Sequence, residues 1–97
     1  MSKYKWVCRL TVLVAVEENR KSREVAFTIN KSFPFVPQLG LDVHFLGMPT
    51  EARLSQVCYV EEGNSFEVFI HIGDSELGIF YDKSILDNLV GHGWMRD

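Results

Sequence analysis

The run KYKWVCRLTVLVAV, Lys3 to Val16, alternates. From Tyr4 onward the even positions are Tyr, Trp, Cys, Leu, Val, Val and Val, while the odd ones include Lys5, Arg9 and Thr11. A period of two sends every second side chain to the same side, so the run is a long β-strand with one buried face. Val7, Leu13 and Ala15 add apolar surface to the other face, which a second sheet, a helix or a second subunit is expected to cover.

The rest of the chain repeats the period. VAFTIN alternates at Val25, Phe27 and Ile29, and between it and the first strand lies EENRKSRE, Glu17 to Glu24, a mixed-charge run without an apolar residue. Such a run reads as an exposed hairpin tip. Leu54–Val60 and Phe66–Ile72 flank Glu61, Glu62, Gly63 and Asn64, the strongest hairpin signal in the sequence. In that hairpin Cys58 has the parity of Leu54 and Val60, which reads as core, while Val57, Tyr59 and Phe69 read as apolar positions on a second face.

Between these hairpins the chain cannot be regular. Pro34 and Pro37 lack a donor N–H and push Phe33 and Val36 toward extended conformations, so SFPFVPQLG is an irregular crossing that turns near Gly40 into the strand of Leu41, Val43 and Phe45. Its phenylalanines are expected to plug one end of the core, the alternative being an aromatic platform for a partner. FPFVPQLG also resembles segments of small bacterial and phage proteins, a resemblance that implies no activity.

Near the C-terminus the period changes. Ile85, Leu86, Leu89 and Val90 share one helical face, Ser84 reads as the cap with Asp87 three residues on, and Gly91 reads as the terminator, giving a short helix over 84–91. Two turns do not persist alone, so the helix must dock on the sheet, with Trp94 pinning the tail. The expected architecture is a mainly β (α+β) single domain over 1–97: a small twisted antiparallel sheet curled into a barrel or sandwich, with one short C-terminal helix.

Composition narrows the function by exclusion. At 97 residues there is room for one domain, and 46% hydrophobic residues suffice to build its core. A net charge of -3 argues against a dedicated duplex binder. Two cysteines without CxxC spacing point to a reduced, cytoplasmic protein, and the interrupted N-terminal apolar run reads neither as a signal peptide nor as a membrane span. No metal or cofactor is expected, because His44, His71, His92, Asp74 and Glu76 lack paired ligand spacing and the glycines form neither GxGxxG nor a phosphate loop. No catalytic set emerges either. Cys8 sits on the apolar face of the first strand, and no helix start or elbow presents a thiol to His44 or His71.

What remains is a non-enzymatic protein-binding module of the kind seen in small acidic inhibitors, immunity proteins and accessory subunits. Its expected contacts are an exposed sheet edge, the charged residues Arg20, Lys21 and Arg23, or the crossing residues Phe33, Phe35 and Val36. The partner is another protein, a second copy of the chain included. Two alternatives stand beside it: a single-stranded nucleic-acid-binding small β-barrel, using Lys3, Tyr4, Lys5, Trp6, Arg53 and Tyr59 or the cations of the hairpin tip, and a small-ligand-binding barrel with Phe33, Phe35 and Trp94 in its mouth.

Overall fold

Alternation in the first strand closes into a long ladder. In the computed structural model, which describes residues 6–97, β1 (Trp6–Glu18) pairs antiparallel with β2 (Lys21–Phe33), from Trp6 opposite Phe33 to Glu18 opposite Lys21. Lys3, Tyr4 and Lys5 lie outside the described residues. Only Asn19 and Arg20 leave the ladder, both at positive φ (52° and 66°), which makes a two-residue hairpin turn of the primed kind. Most of the expected Glu17–Glu24 loop is therefore strand. Its charges mark exposure, and an exposed strand end tolerates charge as well as a loop does.

The remaining strands set the sheet order. β3 (Asp42–Val43), β4 (Ala52–Val60), β5 (Ser65–Ile72), β6 (Tyr81–Asp82) and β7 (Met95–Arg96) join β1 and β2 in one sheet of order β3-β4-β5-β1-β2-β7, with β6 pairing the end of β1 beyond β5. Mainly β architecture with one short C-terminal helix is thus as expected, and the sheet is curled but not closed into a barrel. Its hairpins are antiparallel. At the centre, however, β5 runs parallel to β1, from Phe66 opposite Cys8 to Ile72 opposite Val14, so the sheet is mixed. A parallel neighbour cannot follow by a tight turn. The chain reaches it by leaving β2 at Phe33 and running back over one face before β4 begins.

That face is the core. Cys8, Leu10, Val12, Val14 and Val16 of β1 are buried on it, beside Val25 and Phe27 of β2 and Val68, Ile70 and Ile72 of β5. Phe45 and Met48 from the crossover, Ile85, Leu86 and Leu89 from the helix, and Trp94 close it. At the rate of about 1.5–3 kcal/mol for each fully buried aliphatic or aromatic side chain, this single layer contact supplies the main stabilisation. Trp94 fits at a cost: its indole N–H finds no acceptor among the described residues. On the opposite face Val7, Arg9 and His71 are exposed and Thr11, Leu13 and Phe69 partly so, while Ala15 is buried beside Gly73.

One irregularity re-sorts β4. Between Leu54 and Gln56 the register against β5 shifts, so Val57 lies opposite Val68 and Tyr59 opposite Phe66, on the core side. Cys58 is then turned to the open face and exposed. Cys58 as a core residue, and Val57 and Tyr59 as second-face residues, are corrected by this bulge. A period of two does not survive an inserted residue.

The helix α1 spans Ser84–Gly91, matching the expected range, but its ends differ. Ser84 does not cap it. The N-cap position falls to Lys83, which makes no side-chain cap bond, and the Ser84 backbone N–H donates to the Asp82 carboxylate at 2.9 Å. Nor does Gly91 stop it. Gly93, at φ 94°, does, with its N–H donating to the Val90 carbonyl and that of Trp94 to the Leu89 carbonyl, the paired bonds of a Schellman motif. The crossover meets this end at Gly47, where a Cβ would stand 2.5 Å from His92 Nδ1. None of the described helices is long and apolar enough to cross a membrane.

Two outcomes follow for stability. Gly93→Ala, forced into the left-handed region, is expected to cost about 1–2 kcal/mol, whereas Gly91→Ala, helical and in open space, is expected to add about 0.5 kcal/mol; urea unfolding of the pair separates the two glycines. The Ser84 N–H bond, and then the Ser84 side chain, hold the Asp82 carboxyl below its ordinary 3.8. A depressed folded value means that its contribution is complete above 3.8 and lost as pH falls through the folded pKa. The stability gap between wild type and Asp82→Asn is therefore expected to hold at neutral pH and to narrow as pH falls below 3.8, as read by unfolding across that range.

Candidate functional site

The six residues expected to bind fall into two groups at opposite ends of β2. Lys21 begins the strand and Phe33 ends it, which at 3.3 Å per residue is a separation of about 40 Å. Arg20, Lys21 and Arg23 therefore cannot act together with Phe33, Phe35 and Val36 on one small ligand.

At the hairpin tip the cations are met by acids. Arg23 lies 3.9 Å from Glu18, and Lys83, just before α1, donates to the same Glu18 carboxylate at 3.0 Å. That bond raises the Lys83 pKa. Glu24 accepts from the Ser75 hydroxyl at 2.9 Å, and Glu17 stands opposite Asp82 in the β1–β6 pairing. Arg20 and Lys21 have no ion-pair partner among the described residues. With acids interleaved at the same end, the tip is a balanced charged surface and lacks the basic stripe that tracks a phosphate backbone.

The other end is aromatic and open. Phe33 is buried and stacks on Phe45 (centroids 6.2 Å apart), and Phe45 meets Trp94 edge-on at 5.9 Å. These three rings are the expected plug. Phe35 continues the stack outward at 5.1 Å from Phe33 but is 40% exposed, and Val36 beside it is exposed as well. The buried Pro37 anchors the segment between them and the turn from Gln38 to Leu41, where Leu41 N–H donates to the Gln38 carbonyl at 3.2 Å. The chain is thus pinned at 33, 37 and 45 and bowed outward between.

The bow encloses a shallow groove of about 510 Å³ lined by Phe35, Val36, Gln38, Leu41, Asp42, Val43 and His44. Two of its polar groups, Asp42 and His44, are held by their own contacts. Asp42 takes a two-pronged bond from Arg53, 3.0 and 3.3 Å, across the β3–β4 pairing, which raises the Arg53 pKa. His44 Nε2–H donates to the Met48 carbonyl at 3.1 Å, which leaves Nδ1 as its free ring nitrogen. What the groove offers is therefore mainly apolar.

Leu39 and Leu46 stand out beside it, 70% and 75% exposed. The sequence signal for them was ambiguous, since Leu39 reads as part of a turn and Leu46 as the end of an alternating strand. Only the anchoring of Pro37 and Phe45 shows which neighbours are left outside. The expected ligand-barrel mouth takes a different form: Phe45 sits between Phe33 and Trp94 and fills the space they would have lined.

The thiols are separated from the imidazoles. Cys8 is buried on the core face, where desolvation pushes its pKa up and keeps it protonated. Cys58 is exposed, and its cross-strand neighbour is Glu67 rather than a histidine. Among the described residues no three histidine, cysteine, aspartate or glutamate side chains gather as a metal site would require.

No protein-family model, curated protein or solved structure matches the chain.

The tip carries one stability prediction. Arg20 holds a left-handed conformation that costs a side-chain-bearing residue about 1 kcal/mol, so Arg20→Gly is expected to raise the unfolding free energy by about that amount in urea titration.

Proposed function

We propose that the protein is a non-catalytic binding module that engages another protein through the outward bow of its crossover. The observation that carries this reading is the concentration of exposed apolar side chains there: Phe35, Val36, Leu39, Leu41 and Leu46 are each between 37% and 75% exposed within one short segment. Single exposed leucines are ordinary on a soluble protein, but a contiguous patch around a groove is a recurrent mark of a protein contact. The groove suits an aliphatic or aromatic anchor from the partner, with Phe35 on a rigid stack as the wall against which it packs. Gln38 and His44 supply a polar rim at its edge.

The balanced charge of the hairpin tip and the net charge of -3 weigh against the nucleic-acid alternative. Two free cysteines, one buried and one exposed, fit a reducing, cytoplasmic setting.

The test uses a photo-crosslinking residue in place of Leu39, and separately at Glu76 on a distant turn, in cells that make the protein. A discrete crosslinked partner is expected at position 39 and not at 76, and Leu46→Asp with Phe35→Ala is expected to weaken its binding by more than tenfold. Both substitutions lie at exposed positions and should leave the fold intact by circular dichroism. Crosslinks that are the same at both positions, or indifferent to the two substitutions, would refute the reading.

A further inference from the structure

We propose that two copies of the chain join edge to edge through Ser55–Val60 of β4, in a two-fold antiparallel pairing centred on Cys58. The surface is separate from the bow of the crossover, and the proposal does not depend on it.

The outer side of β4 is covered only at its start. β3 pairs with Ala52 and Arg53, and Leu54 exchanges backbone bonds with Gly40 and Leu41 at 2.8 and 2.9 Å. Beyond Leu54 no described strand lies on that side. The free stretch reads Ser, Gln, Val, Cys, Tyr, Val, without a charge, a proline or a glycine. Charges and prolines are among the devices with which proteins block open edges, as are bulges, and the one bulge of β4 lies at Ser55, before the free positions Val57 and Tyr59. The opposite edge of the same sheet has such devices: β7 covers β2 at Phe27 and Thr28, and the parts left open carry Lys21, Arg23, Glu24 and Lys31.

The register follows from the backbone. In an antiparallel ladder each residue turns both its N–H and its C=O to one side, and successive residues alternate. Leu54 faces outward, toward Gly40 and Leu41, and the bulge then takes one extra residue, so the next outward positions are Val57 and Tyr59. A two-fold pairing that sets Val57 against Tyr59 of the second copy satisfies all these groups at once. Moving the axis one residue either way loses a matched pair, to the bulge at Ser55 on one side or to the turn at Glu61 on the other.

This register brings the two Cys58 residues face to face in a non-hydrogen-bonded position, where Cα atoms stand about 4.5 Å apart. That separation is within reach of a disulfide. On the core side Tyr59, whose ring packs 5.3 Å from Phe66, extends over Val57 of the second copy and continues the aromatic cluster across the joint.

The experiment is light scattering of the full chain under reducing conditions at about 100 µM, with mild oxidation of the same sample followed by peptide mapping. A dimer mass and a Cys58–Cys58 peptide are expected. Cys58→Lys sets two like charges against each other at the axis while each faces Glu67 of its own chain, and is expected to leave a folded monomer. Cys58→Ser is expected to keep the dimer mass and lose only the crosslink. A monomer at this concentration, or a dimer whose mass survives Cys58→Lys, overturns the proposal. Since Phe35, Leu39 and Leu46 are untouched, failure here is distinguishable from failure of the crossover as a partner site.

Discussion

The parallel pairing of β1 with β5 is the constraint on which the other features depend. It requires β4 to begin near the Val12 level of the sheet, although β2 has ended at the Trp6 level. The segment 34–51 must therefore travel back along the core face. As it does so, Phe45 and Met48 become part of the core, and the face left uncovered is short enough for an eight-residue helix and one tryptophan to finish.

The same constraint accounts for the exposed bow. A connection that must cover a fixed distance with three prolines and three buried anchors has length to spare between the anchors. Phe35, Val36, Leu39 and Leu41 occupy that spare length. The aromatic stack from Trp94 through Phe45 and Phe33 to Phe35 holds the bow to the core, so its apolar surface is presented on a firm base rather than on a loose loop.

Much of this was legible in advance, and the misses have definite causes. The period of two in β1, β2 and β5 and the helix over 84–91 could be read directly, because burial on one face imprints a period wherever the backbone is regular. The parallel centre could not, since a strand carries no mark of its neighbour's direction. Cys58, Val57 and Tyr59 were misassigned because an inserted residue at Ser55 leaves no signature in residue type. Ser84 was a sound cap by composition, but its N–H went to Asp82 and the cap position fell to Lys83, and Gly91 was displaced by Gly93, whose conformation permitted the final turn. Of the candidate site, Phe35 and Val36 proved exposed and Phe33 buried, a division set by where the chain is anchored. Polar content at the hairpin tip signalled exposure correctly and loop structure wrongly.

The mixed sheet also has a consequence for how the chain folds. The β1–β2 hairpin joins residues that are neighbours in sequence and can close within microseconds. The inner edge of β1, from Cys8 to Val14, waits for a strand roughly 60 residues further along. Until β5 arrives, that edge and its row of valines and leucine stay open to any extended chain nearby. The least protected moment of this molecule falls before its sheet is complete, and it lies at the strand that ends up most deeply enclosed.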